Sequence, residues 1–125
     1  MTAKILVVDD EVRIVDLLRR VLIQEGFDVY TATNGKAAID LLNQITPDLI
    51  ILDVMMPGMD GGDVAAEILK EEETKGIPII YCTGAISDEE AASQNRQTSA
   101  CFYISKTSSI KEQVKIIKEV LAANS

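Results

Sequence analysis

The sequence predicts an α/β fold in which one parallel sheet of five short strands is covered by helices on both faces. The evidence is that apolar runs of four or five residues alternate with longer stretches whose apolar residues recur at helical spacing. A length of 125 residues suits one compact domain with one core. We therefore expect a single domain over residues 1–125.

Five apolar runs predict the strands. The first, third and fourth are nearly continuous Ile, Leu and Val, which is typical of parallel strands buried on both faces, whereas the second is mixed and suits an edge. In chain order the predicted strands are Lys4–Val8, Asp28–Thr31, Leu49–Leu52, Ile79–Cys82 and Phe102–Ile104. Right-handed crossovers between them give a doubly wound sheet of order 2-1-3-4-5.

Apolar stripes and capping residues predict the helices. Gly26 ends the first, the second runs from about Asn34 to Gln44, Asp60 caps the third, and Ser109 with Glu112 forms a capping box before the last. The residues predicted to face inward are Val12, Val15, Leu18 and Leu22 in the first helix, Ala38, Leu41, Leu42 and Ile45 in the second, Val64, Ala65, Ile68 and Leu69 in the third, and Ile110, Val114, Ile117 and Leu121 in the last.

The fourth predicted helix, between the fourth and fifth strands, differs from the others. Ser87 and Glu90 have capping-box spacing, but residues 88–99 contain no apolar side chain larger than alanine. Because alanine buries little apolar area, we expect this helix to be the least firmly held element.

Composition excludes several classes of function. A net charge of −8 argues against a direct nucleic-acid surface, and the absence of histidine excludes a Ser-His-Asp triad and the usual zinc ligand sets. If a phosphohistidine takes part, another protein must supply it. Short apolar runs and the lack of a leader predict a soluble, cytoplasmic protein in which Cys82 and Cys101 are reduced core residues.

Charged and polar side chains stand just past the predicted strands. Asp9, Asp10 and Glu11 follow the first strand, Asp53 the third, Thr83 the fourth and Lys106 the fifth. Neighbouring carboxylates repel by about 4 kcal/mol at 4 Å and an effective dielectric of ~20, so a cation must offset them. Oxygen ligands without His or Cys favour Mg²⁺, which often shares its ligand shell with a phosphate. The set predicts a metal site that takes up a phosphoryl group.

The chemistry suggests a role for each residue. Asp53 suits a nucleophile that becomes an acyl phosphate, while Asp9 and Asp10 would hold the metal with it. Lys106 offers a second cation and Thr83 a hydroxyl donor to a phosphoryl oxygen. The backbone carbonyl of Met55, in the turn-rich loop after Asp53, is a further predicted metal ligand. Taken singly, each residue also has an ordinary explanation as a helix cap, loop residue or surface lysine; the combination carries the prediction.

These residues also carry a resemblance to the response-regulator receiver domain of two-component signalling systems, over essentially the whole chain. The matching motifs are Ile5-Leu6-Val7-Val8-Asp9-Asp10-Glu11, Asp48-Leu49-Ile50-Ile51-Leu52-Asp53 with Met56-Pro57-Gly58-Met59-Asp60-Gly61, Thr83-Gly84, and Tyr103 three residues before Lys106. The resemblance implies a flavodoxin-like (βα)5 three-layer fold. The predicted strand order is that family's own, so it is not independent of the resemblance.

The resemblance implies that Asp53 is the phosphoacceptor, that Thr83 moves toward the phosphoryl group, that Lys106 contacts it and that Tyr103 then swings inward. It implies Mg²⁺ as cofactor, and a sensor histidine kinase or histidine phosphotransfer protein as phosphodonor. The surface that changes would be the face of the fourth helix, fifth strand and fifth helix. Such a domain is a regulatory phosphoacceptor that catalyses only its own phosphorylation and dephosphorylation. Its output domain or effector, and whether it forms a homodimer on activation, stay open.

Two departures from the family pattern concern the region near the fifth strand. Thr107 stands where the family usually has a proline with a cis peptide, and Ser99 stands before Ala100 where glycine is common. A non-proline cis bond costs roughly 2.5–4 kcal/mol, so we expect Lys106 to be held by a trans peptide or less rigidly.

Three alternatives are kept beside the receiver prediction. A Mg²⁺-dependent aspartyl phosphatase would carry its nucleophile after the first strand with a second Asp two residues later, which Asp9-Asp10-Glu11 does not match. A flavodoxin-like binding protein would need Gly, Ser or Thr in that acidic loop. A degenerate, unphosphorylated interaction module would not need the full set of site residues.

Overall fold

The computed structural model describes residues 2–56, 58–59, 61–84 and 102–123. Its elements in chain order are β1 (Lys4–Val8), α1 (Val12–Gln24), β2 (Asp28–Ala32), α2 (Gly35–Leu42), β3 (Leu49–Asp53), α3 (Gly61–Lys70), β4 (Ile79–Thr83), β5 (Phe102–Ser105) and a C-terminal helix (Ile110–Ala123). All five predicted strands are confirmed, and the last four end one residue later than predicted. The helix predicted over 88–99, with Ser87 and Glu90, lies outside the described residues, as do Pro57, Asp60, Ser99, Ala100 and Cys101.

The strands form one parallel sheet of order β2-β1-β3-β4-β5, which confirms the predicted topology. β2 is an edge strand, as its mixed sequence indicated, and every residue of β3 is buried. The chain moves to one side of β1 to form β2 and to the other side to form β3. The carboxyl ends of β1, β3 and β4 therefore meet where the strand order reverses, which is where ligands bind in folds of this kind.

Alternate strand residues divide the core into two layers, one on each face of the sheet. One layer joins the sheet to α1 and the C-terminal helix and contains Ile5, Val7, Leu49, Ile51, Ile80, Cys82 and Ile104 with Leu18, Leu22, Ile117 and Val120. The other joins it to α2 and α3 and contains Leu6, Val8, Ile50, Leu52 and Ile79 with Ala38, Val64, Ala65 and Ile68. The molecule is thus a three-layer α/β/α sandwich.

Two of the residues predicted to face inward do not. Val12 and Leu69 are each 60% exposed, so their prediction is wrong. Val12 is the first residue of α1, which begins four residues past the end of β1. Leu69 follows the buried Ile68 and is turned about 100° further round the helix, away from the core.

The helix ends follow the predicted capping residues where these are described. Asn34 Oδ1 accepts a hydrogen bond from the Ala37 N–H at 2.8 Å and begins α2, which is shorter than predicted. Ser109 Oγ accepts from the Glu112 N–H at 3.1 Å, as expected of the first half of a capping box. Gly26 follows α1 with φ +96°, which glycine adopts readily. Within the described ranges, none of the helices has both the length and the apolar character needed to cross a bilayer.

Candidate functional site

Three carboxylates meet at the carboxyl ends of β1 and β3. Asp9 and Asp10 follow β1 directly, and Asp53 is the last residue of β3. One carboxylate oxygen of each lies within 4.8 Å of the others. Val8 of β1 is the register partner of Leu52, which brings the next residues, Asp9 and Asp53, side by side. The sheet topology therefore assembles the predicted acidic cluster.

Two of these carboxylates are buried and anchored by nearby backbone. Asp9 and Asp53 are each 2% exposed, whereas Asp10 is exposed. Asp9 Oδ1 accepts a hydrogen bond from the Glu11 N–H at 2.9 Å, and Asp53 Oδ1 accepts one from the Met55 N–H at 3.2 Å. Such bonds to the N–H two residues on are typical of Asp at turns. They fix one oxygen of each carboxylate and orient the other.

Lys106 faces the second oxygens of both buried acids. Its Nζ lies 3.1 Å from Asp9 Oδ2, 3.2 Å from Asp53 Oδ2 and 3.5 Å from Glu11 Oε1. The Lys106 backbone N–H donates to the Thr83 carbonyl at 2.8 Å, which ties the loop after β5 to the end of β4. The structure therefore places Lys106 beside the acidic cluster. Glu11 also contacts it, although the sequence suggested no role for Glu11 beyond its position next to Asp10.

The second oxygen of Asp53 is the atom of the cluster whose surroundings best suit a metal ligand. Among the described residues, Asp53 Oδ2 is the one buried side-chain nitrogen or oxygen without a hydrogen bond. It lies 3.2 Å from Lys106 Nζ, and the two form an ion pair. A buried carboxylate oxygen that accepts no hydrogen bond, in a group of three carboxylates, fits a hard divalent cation such as Mg²⁺.

The electrostatics keep both partners charged near neutral pH. Burial, and then the charge of Asp9, raise the pKa of Asp53 to about 6, against the lowering effects of Lys106 and the Met55 N–H. Burial tends to lower the pKa of Lys106, but its contacts with Asp9 and Asp53 outweigh this and raise that pKa. At pH 7 Asp53 is therefore mainly a carboxylate and Lys106 an ammonium.

Three other predicted residues lie on β4, on β5 and in the loop after β3. Thr83 is buried at the end of β4, one residue past Cys82, the register partner of Asp53. Tyr103 is half-buried on β5, and its ring centroid lies 5.5 Å from that of Tyr81. Met55 has an exposed side chain beside the site, and the role of its carbonyl as a metal ligand stays a prediction.

A close backbone contact holds the loop after Asp53. A Cβ added to Gly61, the first residue of α3, would lie 2.3 Å from the Asp53 carbonyl oxygen and 2.9 Å from Val54 Cα. The Gly61 N–H donates to the Val54 carbonyl at 3.2 Å. The sequence indicated a turn here, and Gly58 has φ +75°, but it did not reveal this requirement for glycine at residue 61.

The region around Lys106 settles two expectations. Every peptide bond in the described residues is trans, including that between Lys106 and Thr107, so the trans alternative is confirmed. Cys82 is a free, buried thiol whose pKa burial raises to about 12, as suits an unreactive core residue.

Comparison with known proteins identifies the family. The sequence model of the response regulator receiver domain matches residues 5–118. The fold is similar to that of chemotaxis protein CheY4 of Vibrio cholerae, with a TM-score of 0.82 and 28% identity over 96% of this chain and 99% of that one. It is also similar to NtrX from Brucella abortus, with a TM-score of 0.82 and 31% identity over 99% of this chain and 28% of that one.

A third similar structure is the receiver domain of a signal transduction histidine kinase from Syntrophus aciditrophicus, with a TM-score of 0.80 and 25% identity over 98% of this chain and 92% of that one. The family match covers nearly the whole chain, and the TM-scores show that the solved structures share its flavodoxin-like fold. The chain therefore belongs to the response regulator receiver domain family of two-component signalling.

Proposed function

We propose that this receiver domain acts as a switch that accepts a phosphoryl group on Asp53. The observation that carries the proposal is that the buried Asp53 Oδ2 accepts no hydrogen bond from the described residues, although it lies beside a second buried acid and pairs ionically with Lys106 Nζ at 3.2 Å. A carboxylate used only for stability would be expected to have its hydrogen bonds satisfied. One that must receive a ligand and then react needs an oxygen left available.

Asp9, Asp10 and Asp53, with the Met55 carbonyl, would hold Mg²⁺ in this proposal. When bound, Mg²⁺ supplies positive charge that offsets the carboxylates and the incoming phosphoryl oxygens. The donor set supports this assignment because it consists of carboxylates that lie within 4.8 Å of one another. The Met55 N–H bond to Asp53 Oδ1 keeps the start of the loop in a fixed position next to the cluster.

In the transfer itself, a carboxylate oxygen of Asp53 forms a bond to phosphorus as the bond between phosphorus and the donor imidazole nitrogen breaks. Lys106 is close enough to the carboxylate to contact an oxygen of the transferred group, and the Thr83 hydroxyl would donate to another. The ionised form of Asp53 that predominates at pH 7 is the form this step requires. Later attack by water on the acyl phosphate would return the free carboxylate and inorganic phosphate.

Intact-mass measurement after incubation with acetyl phosphate and Mg²⁺ tests the proposal. Wild type should gain one phosphoryl group, the adduct should be absent from Asp53→Asn, and chelation of Mg²⁺ should prevent its formation. Asp48→Asn serves as a matched control because Asp48 is an exposed acid just before β3. No adduct on wild type, or an equal adduct on Asp53→Asn, would reject Asp53 as phosphoacceptor.

The partners follow from the chemistry of the donor. Because the chain contains no histidine, the phosphohistidine would belong to a sensor histidine kinase or a histidine phosphotransfer protein. We place this exchange in the cytoplasm, where a free thiol such as that of Cys82 stays reduced. An output domain or effector protein would then respond to the phosphorylated form, with no direct contact between this domain and nucleic acid.

We propose that the switch runs through Thr83 and Tyr103. Thr83 ends β4, next to Asp53, and Tyr103 lies on the neighbouring β5, so movement of the first can reach the second. The responding face would include β5 and the C-terminal helix, together with the predicted fourth helix. Proton NMR of the Tyr103 ring tests this: phosphorylation should shift its resonances in wild type but not in Thr83→Ala, even where Thr83→Ala still takes up phosphate.

A further inference from the structure

The loop that carries Lys106 is closed by its own backbone. The Ser108 N–H donates to the Ser105 carbonyl at 3.0 Å, so residues 105–108 form a four-residue turn with Lys106 and Thr107 at its centre. Gln113, a buried polar residue of the C-terminal helix, donates from Nε2 to the Ser108 carbonyl at 3.0 Å. The turn is therefore held at its start by β5 and at its end by that helix.

A hydrogen bond between two hydroxyl groups connects the residues at the centre of this turn. Ser105 Oγ lies 2.7 Å from Thr107 Oγ1, and either atom can be the donor. The Thr107 N–H also donates to Ser105 Oγ, at 3.3 Å. Ser105 is completely buried whereas Thr107 is exposed, so the pair ties an exposed loop residue to the interior.

The hydrogen bond between the two hydroxyl groups restricts the conformation of the turn. Proline in place of Thr107 would fix its own φ covalently, whereas threonine leaves that angle free to vary. The hydrogen bond between Ser105 and Thr107 joins the residues on either side of Lys106, whose side chain reaches Asp9 and Asp53 from the middle of the turn. Without this hydrogen bond the turn can adopt several conformations. Only some of them direct the Lys106 ammonium group toward the carboxylates of Asp9 and Asp53.

We propose that the Ser105–Thr107 hydroxyl pair is a positioning device that holds Lys106 against Asp9 and Asp53 in the trans form of the turn. Both hydroxyls act through Lys106, so Ser105 and Thr107 are positioning residues and not catalytic ones. The inference rests on the proposed function only in its consequence for phosphoryl transfer. The placement of Lys106 can be measured separately.

Chemical labelling of amines measures that placement directly. The full-length protein is exposed to a trace of acetic anhydride, and the acetylation of Lys106 is compared by peptide mass spectrometry with that of Lys111, an exposed lysine of the C-terminal helix. Thr107→Val should raise the Lys106:Lys111 ratio by about threefold to tenfold, the population change expected when one hydrogen bond is lost. Thr107→Ser, which keeps a hydroxyl, should leave the ratio within twofold of wild type.

Ser105→Ala removes the hydroxyl pair from its other end and also removes the acceptor of the Thr107 N–H. It should raise the ratio at least as much as Thr107→Val does, and adding Thr107→Val to Ser105→Ala should raise the ratio no further, because the hydroxyl pair is already lost. An unchanged ratio in a folded Thr107→Val protein would overturn the inference. So would a Thr107→Ser protein that behaves like Thr107→Val, since the hydroxyl would then be irrelevant.

Phosphorylation supplies the second readout. With acetyl phosphate and Mg²⁺, Thr107→Val should slow adduct formation by about the same threefold to tenfold. In a Lys106→Met background the substitution should have no further effect, because it acts only through that lysine. An equal slowing in both backgrounds would indicate a general structural effect and reject the inference. If wild type takes up no phosphoryl group, the proposed function fails, and the labelling ratios alone decide whether the pair positions Lys106.

Discussion

Asp53 is buried, and as the proposed nucleophile it would have to be ionised; its contacts explain how both conditions can be met. Burial and Asp9 favour its protonated form, whereas Lys106 and the Met55 N–H favour the carboxylate. The balance leaves a carboxylate that is charged at pH 7 but costs the fold free energy. Phosphorylation or a bound cation would change the charge at Asp53 and so would change the stability of the whole site.

Asp53→Asn should therefore stabilise the metal-free protein. The pKa of Asp53 rises from 3.8 to about 6 on folding, so the folded state binds its proton more tightly and wild-type stability falls as pH rises through this range. At pH 7 we expect Asp53→Asn to increase the free energy of unfolding by about 1–3 kcal/mol. Urea denaturation in the presence of a chelator measures this, with Asp48→Asn as the exposed control.

The same measurement at acid pH checks the cause. At about pH 4 the folded wild type already carries a protonated Asp53, so the difference between wild type and Asp53→Asn should shrink toward zero. A difference that is as large at pH 4 as at pH 7 would show that packing, and not ionisation, separates the two proteins.

Most residues of the site could be predicted, because they share a simple property. Asp9, Asp53 and Lys106 each follow a strand, and strand ends can be located from the hydrophobic pattern. Ser105 and Gln113 could not be predicted in the same way. The Ser105 contact depends on the conformation of a turn, which has no period in the sequence, and Gln113 is a polar residue on the buried side of a helix, which the apolar period does not mark.

Elements were predictable where burial is uniform and less so where only one side is buried. β3 is buried at every residue, so its apolar run marked it clearly. The C-terminal helix buries Gln113, Ile117 and Val120 most fully, whereas the predicted Ile110, Val114 and Leu121 are half-buried, so its inward face is turned slightly from the apolar stripe. A helix that covers a twisted sheet edge need not bury every apolar side chain it carries.

Because α3 begins in close contact with the end of β3, Gly61 leaves no room for a side chain. Gly61→Ala would place its Cβ against the Asp53 carbonyl and the Val54 backbone, which cannot move aside as a side chain can. We expect it to lower the free energy of unfolding by about 1–3 kcal/mol, as overpacking does, and to slow phosphoryl uptake by displacing Asp53. Chemical denaturation and the acetyl phosphate assay measure the two effects.

Gly62→Ala is the matched control for this prediction. Gly62 is the next residue of α3 and is exposed, so alanine there should gain about 0.5–1 kcal/mol from helix propensity without touching the site. If the two substitutions had similar effects on stability, the close backbone contact at Gly61 would not be the reason glycine is needed.

The start of α2 offers a test of a single helix cap. Asn34→Ala removes the acceptor for the Ala37 N–H and should lower the free energy of unfolding by about 1 kcal/mol. Asn34→Ser restores an acceptor and should recover most of that loss, and urea denaturation of both variants measures the difference. A loss in Asn34→Ser as large as in Asn34→Ala would rule out capping as the cause.

At the scale of the whole molecule, the topology explains why residues so distant in sequence form one site. The parallel order β2-β1-β3-β4-β5 brings the ends of β1, β3 and β4 together, and the loop after β5 reaches back over them through the Lys106 bond to Thr83. The net charge of −8 adds a general repulsion that the acidic cluster concentrates at this edge. A divalent cation at the cluster should therefore affect the stability of the entire fold.

Mg²⁺ should stabilise wild type more than a monovalent salt does at the same ionic strength. Any salt screens the overall negative charge, but a cation bound at the cluster adds to the charge of Lys106 and further reduces the repulsion among Asp9, Asp10 and Asp53. At a Mg²⁺ concentration ten times the dissociation constant, binding to the folded state alone adds about 1.4 kcal/mol. Thermal unfolding in MgCl₂ and in NaCl of equal ionic strength separates the two effects.

Asp9→Asn is the control variant for this measurement. It keeps the shape of Asp9 and its acceptor for the Glu11 N–H, so it should lose the Mg²⁺-specific stabilisation and retain the response to NaCl. An undiminished Mg²⁺-specific shift in Asp9→Asn would place the cation elsewhere on the acidic surface.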